Sequence, residues 1–307
     1  MSMQQVSQMS FSSKAKAELC RVPLAKRCCA AAEAYGVLLY GNTFTDREIK
    51  IITGSRQFAE RLPRLFARAF KLSFDQLPEE EKGGKLIFII NDTEKIRRIF
   101  DTYGYDPGNT LAHYINLGVL EEDCCRASFL RGVFLAGGSI TDPEKRYHLE
   151  LVTDHYNVSR QIYSILLDMD FSPKETSRNG NYITYFKQSE AIEDFLTTIG
   201  APVSAMEIMS AKVEKDMRNA INRRVNCDSA NADKIVSASQ KQLEAIRRLD
   251  KTVGIHNLPE KLQQTALLRI ANPEASLAEL AMLSDPPVTK SCLSHRIRKL
   301  MNYMPEE

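Results

Sequence analysis

CCRASFLRGVFLAGGSITD, from Cys124 to Asp142, is the second appearance of a pattern in this chain. CCAAAEAYGVLLYGNTFTD, from Cys28 to Asp46, stands 96 residues earlier and agrees with it at nine of nineteen positions. The identities are Cys28/Cys124, Cys29/Cys125, Ala31/Ala127, Gly36/Gly132, Val37/Val133, Leu39/Leu135, Gly41/Gly137, Thr45/Thr141 and Asp46/Asp142. The same offset returns where KLIFIINDTEKIRRIFDTYG (Lys85 to Gly104) faces NYITYFKQSEAIEDFLTTIG (Asn181 to Gly200). One offset held across both blocks marks a duplicated unit.

Each unit reads in the same order. An apolar helix (Leu24 to Tyr40; Asp123 to Ala136) closes on glycine, the usual residue for a left-handed turn. Alternating β-type residues follow at Ile49–Ile52 and His148–Val152, then an amphipathic helix at Arg56–Phe70 and Asn157–Met169. A turn at Gly83-Gly84 or Asn179-Gly180 feeds a strand at Leu86–Ile90 or Tyr182–Phe186, and a last helix ends at Gly104 or Gly200. The earlier strand of that second hairpin is weakly marked, around Ser73–Glu80 and Ser172–Ser177. The expectation is an α+β fold: two αββαββα repeats, about 11–104 and 107–200, related by a pseudo-twofold axis, behind a disordered 1–10. Small residues recur every fourth position on the opening helices: Ala32 and Gly36 in one, Ser128, Gly132 and Ala136 in the other. That spacing places them on one face and lets two backbones approach, so the two helices are expected to form the interface between repeats.

Composition narrows the class. Of 307 residues, 43% are apolar and 26% charged, an ordinary globular balance that excludes wholesale disorder. No apolar run is long enough to span a membrane, and the polar stretch Met1–Ser10 does not read as a signal peptide. Seven cysteines, an odd number with two adjacent pairs, do not form a disulfide framework, so a reduced cytoplasmic protein is expected. The pairs Cys28-Cys29 and Cys124-Cys125 open equivalent helices. Adjacent thiols fit one tetrahedral zinc poorly, so they are read as buried packing residues, with redox sensing as the alternative and no metal or cofactor expected. The histidines (His113, His148, His155, His256, His295) lack ligand spacing, and there is no phosphate-binding glycine loop.

Leu130 to Gly138, LRGVFLAGG, resembles the LAGLIDADG motif of homing endonucleases, and Ala34 to Asn42 resembles a worn first copy. The resemblance implies motif helices at the interface of two αββαββα halves, with sheets forming a saddle over DNA. It also implies a metal-binding carboxylate ending each helix, but those positions are Gly41 and Gly137, which cannot ligate a metal. Asp46 and Asp142 lie five residues further on in equivalent places. They could serve a metal-dependent endonuclease with relocated acids, the rival reading, but Asp142-Pro143 is a turn-initiating pair and Asp46 sits in a similar polar link.

The rest of the chain is helical. Met206–Arg224 and Asp228–Leu249 read as two helices broken near Val225–Cys227, with 201–225 as a connecting helix and Arg223 and Arg224 as additional DNA contacts. Charge also shifts: residues 1–200 hold 25 Lys+Arg against 26 Asp+Glu, while 201–307 hold 16 against 13. A helix at Leu258–Ile270, a capping-box helix at Ser276–Leu283, a short turn and a basic helix from Val288 or Thr289 to Tyr303 make a helix-turn-helix at about 275–304, within a helical domain at 226–307. Val288, Cys292, Leu293, Ile297 and Leu300 should face inward. Lys290, Ser291, Ser294, His295, Arg298 and Lys299 should face out, with Arg296 at the border; the short polar residues suit base edges and the cations suit phosphates.

Ser12-Ser13-Lys14 with Glu18, FLRGVFLAGGSITDPEKRYHLELV (Phe129 to Val152), NRRVNCDSANADK (Asn222 to Lys234) and NPEASLAELAMLSDPPVTKSCLSHRIRKL (Asn272 to Leu300) together resemble the WhiA family of bacterial regulators over essentially the whole chain. The resemblance implies a degenerate LAGLIDADG-like domain joined to a helix-turn-helix, and a non-enzymatic, nucleoid-associated transcriptional regulator. Its implied setting is cell division, chromosome segregation and sporulation. Double-stranded DNA is the expected partner, with RNA polymerase or a second regulator as protein partners, and no membrane or small-molecule substrate. A protein-interaction hub whose DNA affinity is incidental is a further alternative. Cys292-Leu293 departs from the less bulky pair the family leads one to expect.

Overall fold

The computed structural model describes residues 9–78, 84–106 and 113–303. Expectations for residues 1–8, for Gly83 and for the end of the Ser73–Glu80 segment lie outside these. The chain forms two compact units, one ending at Lys215 and the other beginning at Asp216.

The first unit opens with α1 (Phe11–Leu19), whose N-cap Ser10 accepts from the Ser13 amide. The first repeat then runs α2 (Arg27–Leu39), β1 (Thr43–Phe44), β2 (Ile49–Thr53), α3 (Arg56–Phe70), β3 (Leu86–Ile90) and α4 (Thr93–Tyr103). The second runs α5 (Asp123–Gly137), β4 (Gly138–Ile140), β5 (Leu149–Thr153), α6 (Tyr156–Asp168), β6 (Lys174–Arg178), β7 (Asn181–Phe186) and α7 (Ser189–Ile199). Both sheets are antiparallel, ordered β1-β2-β3 and β4-β5-β7-β6. The second repeat is therefore αββαββα in full. In the first, the weakly marked strand shows, among the described residues, one bridge, Gln76 to Ile89. Its counterpart β6 is joined to β7 by a register-setting Asn179-Gly180 turn in which both residues take positive φ, 52° and 80°.

Alternation decides which face each strand buries. In β2 and β3, Ile49 pairs with Ile90 and Ile51 with Phe88, all four buried. In β5 and β7, Leu149 pairs with Phe186 and Leu151 with Thr184, again buried. These faces, with the amphipathic helices and α2 and α5, close one hydrophobic core.

Two expectations about helix ends are corrected. Tyr40, which caps α2, has φ −113°, and Gly138, after α5, is extended at φ −88°, so neither motif helix ends in a left-handed turn. The chain enters β4 directly from α5, and glycine is needed there for space: a Cβ on Gly137 would lie 2.6 Å from the Val152 carbonyl oxygen and 2.7 Å from the Tyr40 ring. Left-handed caps occur instead at Lys71, Gly104 and Gly200, at the ends of α3, α4 and α7.

The break at Val225–Cys227 is also corrected. α8 runs unbroken over Pro202–Thr252. Val, Asn and Cys each cost a helix only a few tenths of a kcal/mol, and with no Pro or Gly between strong helix formers the helix continues. Its start is held by α1: Glu18 accepts from the amides of Val203 (2.7 Å) and Ser204 (2.9 Å) and from the Ser204 hydroxyl (2.6 Å). A carboxylate there satisfies free N–H groups and opposes the positive end of the helix dipole.

The second unit continues with α9 (Glu260–Ala271), α10 (Leu277–Leu283) and α11 (Lys290–Met301). Ile246, Leu249, Ile255, Leu258, Leu262, Ala266, Ile297 and Leu300 form its main core, and Leu280, Ala281 and Leu293 a smaller one.

Candidate nucleic-acid interface

α10 and α11 are set by local chemistry. Ser276 and Glu279 form a reciprocal capping box at the start of α10: the Glu279 amide donates to the Ser276 hydroxyl (3.3 Å) and the Ser276 amide to the Glu279 carboxylate (2.7 Å). Across the turn the Val288 amide donates to the Ala281 carbonyl (3.0 Å), and Thr289 caps α11 by accepting from the Cys292 amide (3.2 Å). The preceding loop is tied down by buried Arg269, whose guanidinium donates to the carbonyls of Ala275 (2.6 Å) and Asn272 (3.3 Å).

Leu293, Ile297 and Leu300 are buried and Val288 is half-buried, as the spacing required. Lys290, Ser291, His295, Arg298 and Lys299 are exposed, whereas Ser294 and Arg296 are half-buried. Cys292 is exposed, not inward. One helical step from Leu293, it falls outside the seam that the small hydrophobic cluster of Leu280, Ala281 and Leu293 can cover. α11 carries no acidic residue. His295, Arg298 and Lys299 border an open cleft of about 420 Å³ with Pro259, Leu262, Asn302 and Tyr303. Arg223 and Arg224 lie on α8, both exposed.

In the first unit, the two motif helices meet backbone to backbone. A Cβ on Gly36 would fall 2.3 Å from the Phe129 carbonyl oxygen, and one on Gly132 would fall 2.0 Å from the Glu33 carbonyl oxygen. Each glycine thus faces the other helix's main chain, while Ala136 packs half-buried at the edge of the core. Beside this contact lies a buried ion cluster that the sequence reading missed. Glu33 accepts from Arg61 Nε (2.5 Å) and Nη2 (2.8 Å) and from Arg131 Nη1 (3.1 Å). Arg131 also donates to the Ile199 carbonyl (2.7 Å), so α2, α3, α5 and the end of α7 share one network. Lys16 of α1 donates to the Leu135 carbonyl at the end of α5 (3.0 Å), and burial pushes its ammonium down to about 8.

At the other end of these helices the two cysteine pairs converge. The Sγ atoms of Cys28, Cys29, Cys124 and Cys125 all lie within 4.8 Å of one another. This corrects the reading of four buried packing residues: Cys125 is buried, Cys29 and Cys124 are half-buried, and Cys28 is exposed. At Cys28 desolvation is the largest single influence and raises the thiol, but hydrogen bonds from Cys125 and Cys29 and the Lys26 charge together outweigh it, so the thiol is held below the usual range. Desolvation, then the hydrogen bond to Cys28, pushes Cys125 up. The signal was the repeat itself, since equivalent positions on helices that meet face to face must also meet.

The nuclease positions are closed. Gly137 has no room for a side chain, and a Cβ on Gly41 would lie 2.8 Å from the Val37 carbonyl oxygen. Asp46 and Asp142 are exposed, and Asp142 accepts from the Glu144 amide (2.9 Å) as a turn residue. Neither belongs to a group of three metal-ligating side chains among the described residues. The outward faces of the sheets carry few charges: Lys50 among Ile52, Ile87 and Ile89 on one, and Glu150, Lys174 and Arg178 among Ser139, Val152, Thr176 and Tyr185 on the other. No helix among the described residues is long and apolar enough to cross a membrane.

Comparison with known proteins gives a consistent result. Residues 126–218 match the model of the WhiA LAGLIDADG-like domain, and residues 221–304 that of the WhiA C-terminal HTH domain. The probable cell division protein WhiA of Ruminiclostridium cellulolyticum is 39% identical over 300 residues, 95% of this chain and 96% of that protein. The Staphylococcus aureus protein of the same name is 34% identical, covering 95% of each. Among solved structures, the crystal structure of full-length DUF199/WhiA from Thermatoga maritima superposes with a TM-score of 0.60 at 26% identity, covering 96% of this chain and 97% of the other.

Proposed function

This chain belongs to the WhiA family, and from that premise we propose that it is a DNA-binding transcriptional regulator that cuts nothing. The observation that carries this reading is α11: an acid-free helix whose exposed face aligns Lys290, Ser291, His295, Arg298 and Lys299 behind a capped helix and a tight turn. In a helix-turn-helix the second helix enters the major groove, where short polar side chains near its start reach base edges and cations further along meet phosphates. Lys290, Ser291, Ser294 and His295 are assigned to base edges. Arg296, Arg298 and Lys299 are assigned to the backbone, with Arg223 and Arg224 as additional contacts on α8. The family setting supports a role in cell division, with chromosome segregation, sporulation and nucleoid association as the finer proposal. The sparse charge of the sheet faces favours a protein, RNA polymerase or a second regulator, over DNA as the occupant of the LAGLIDADG-like unit.

Genomic fragments captured by the full-length protein in Mg²⁺, with bound sequences and their ends both read, test the proposal. A small set of promoters with intact ends is expected, lost with Arg298→Ala/Lys299→Ala, whose side chains are exposed and not needed for folding. New ends clustered inside the bound fragments would overturn it in favour of a nuclease. Capture unchanged in the double variant would overturn the assignment to α11.

A further inference from the structure

We propose that Cys28, Cys29, Cys124 and Cys125 form a four-sulfur site for one thiophilic divalent cation, zinc in the first instance, that joins the two repeats at the open end of their shared helix pair. One adjacent pair fits a tetrahedron poorly, but here two pairs from facing helices converge. Four thiolates around zinc at 2.3 Å stand about 3.8 Å apart, and mutual separations within 4.8 Å leave only small side-chain movements to complete the tetrahedron. All four side chains are soft donors of one type, which selects zinc over the hard cations that prefer oxygen.

The surroundings suit the product. The cysteines are the second and third residues of α2 and α5, so the positive ends of two helices point at the cluster. Neither helix has a side-chain N-cap: Lys26 and Glu122 occupy those positions without making the bond. The Cys125 amide donates to the Glu122 carbonyl (2.8 Å), and thiolate sulfurs can accept from the other first-turn N–H groups. A zinc tetrathiolate carries a net charge of −2, which two helix ends and Lys26 oppose. Two exposed acids stand at the start of α5: Asp123 is paired with Arg126 at 3.3 Å, and Glu122 lies at the N-cap with its side chain making no cap bond. Exposed Cys28 gives an entry path, and buried Cys125 shields the far side. Binding exchanges four thiol protons for the cation and requires no oxidant. A pair of disulfides would use the same residues but needs an electron acceptor that nothing here supplies.

The site lies at the end of the helix pair opposite Gly41 and Gly137, where the nuclease family holds its catalytic cations. Its role is structural: the ion would pin α2 to α5 as a cross-link between elements 96 residues apart.

The test is metal analysis of the full-length protein purified under reducing conditions, followed by cobalt titration of the stripped protein. One zinc per chain is expected, with the thiolate-to-cobalt charge-transfer band and the visible bands of a tetrahedral four-sulfur site. Cys28→Ser alters an exposed side chain, so its circular dichroism should be unchanged while zinc affinity falls more than about 100-fold, beyond the usual loss from an outer-shell change. Cys29→Ser/Cys124→Ser should abolish the cobalt spectrum. No zinc and no cobalt spectrum in the reduced wild-type protein would overturn the proposal, as would undiminished zinc in both variants. Iron with acid-labile sulfide at these cysteines would replace zinc by a cluster and equally overturn it. None of these readouts depends on DNA binding.

Discussion

Gly132 shows how much one missing methyl group can decide. The oxygen of Glu33 sits 2.0 Å from where its Cβ would be, and the obstruction is backbone, which cannot swing aside. Gly132→Ala must therefore push α2 from α5, and the same movement strains the Glu33–Arg61–Arg131 network beside it. Overpacking of a core typically costs about 1–3 kcal/mol, and this change belongs at or above the upper end of that range. Gly54→Ala is the control: nothing lies within 4 Å of its added methyl, and its effect should stay within about 0.5 kcal/mol. Urea titrations of the two variants make the comparison, and equal stability for both would sink the backbone-contact account. The network itself was invisible in sequence. Glu33 stands alone in an apolar helix and takes its partners from α3 and α5, 28 and 98 residues away. No local pattern links them; only the meeting of the helices does.

Elements were legible where their own residues carried the instruction. α3 at Arg56–Phe70 and β3 at Leu86–Ile90 have the expected bounds because amphipathic period and β-branched run each stop at a clear signal. α8 was misread because a stretch of indifferent helix formers is neither a stop nor a start, and neighbours decide. Cys292 was misplaced because an apolar residue beside the seam satisfies the period while missing the contact. On α11, Leu293, Ile297 and Leu300 are buried where the period places them and the outer face exposes Lys290, Ser291, His295, Arg298 and Lys299, whereas Ser294, expected outward, is half-buried. On that face Arg298 is assigned a phosphate, and a phosphate contact has a measurable signature. Arg298→Ala should weaken binding to operator and random duplex alike and reduce the slope of log Kobs against log salt by about 0.9. A loss confined to one operator sequence, with the slope kept, would make Arg298 a base reader instead.

At the scale of the molecule, the two units have separate cores: Leu62 belongs to one and Ile297 to the other. Hydrophobic clusters that share no residues need not melt together, and multidomain chains commonly depart from two-state unfolding. Calorimetry of the full-length protein should therefore resolve two transitions. Leu62→Ala and Ile297→Ala each remove a buried branched side chain, a change that costs about 2–5 kcal/mol. In a unit of this smaller size Ile297→Ala should lower its transition by about 10 °C or more, leaving the other in place, and Leu62→Ala should do the converse. DNA adds the functional half of the experiment. A ligand raises the stability only of what it binds when folded, by RT ln(1 + [L]/Kd). If α11 holds the DNA, operator duplex at a hundredfold excess over Kd should stabilise the transition that Ile297→Ala lowers by about 2.7 kcal/mol and leave the other unmoved. A shift in the transition sensitive to Leu62→Ala would transfer the principal DNA contact to the sheets of the duplicated unit, despite their sparse charge. A single transition lowered by both variants would mean that the two cores unfold as one cooperative body.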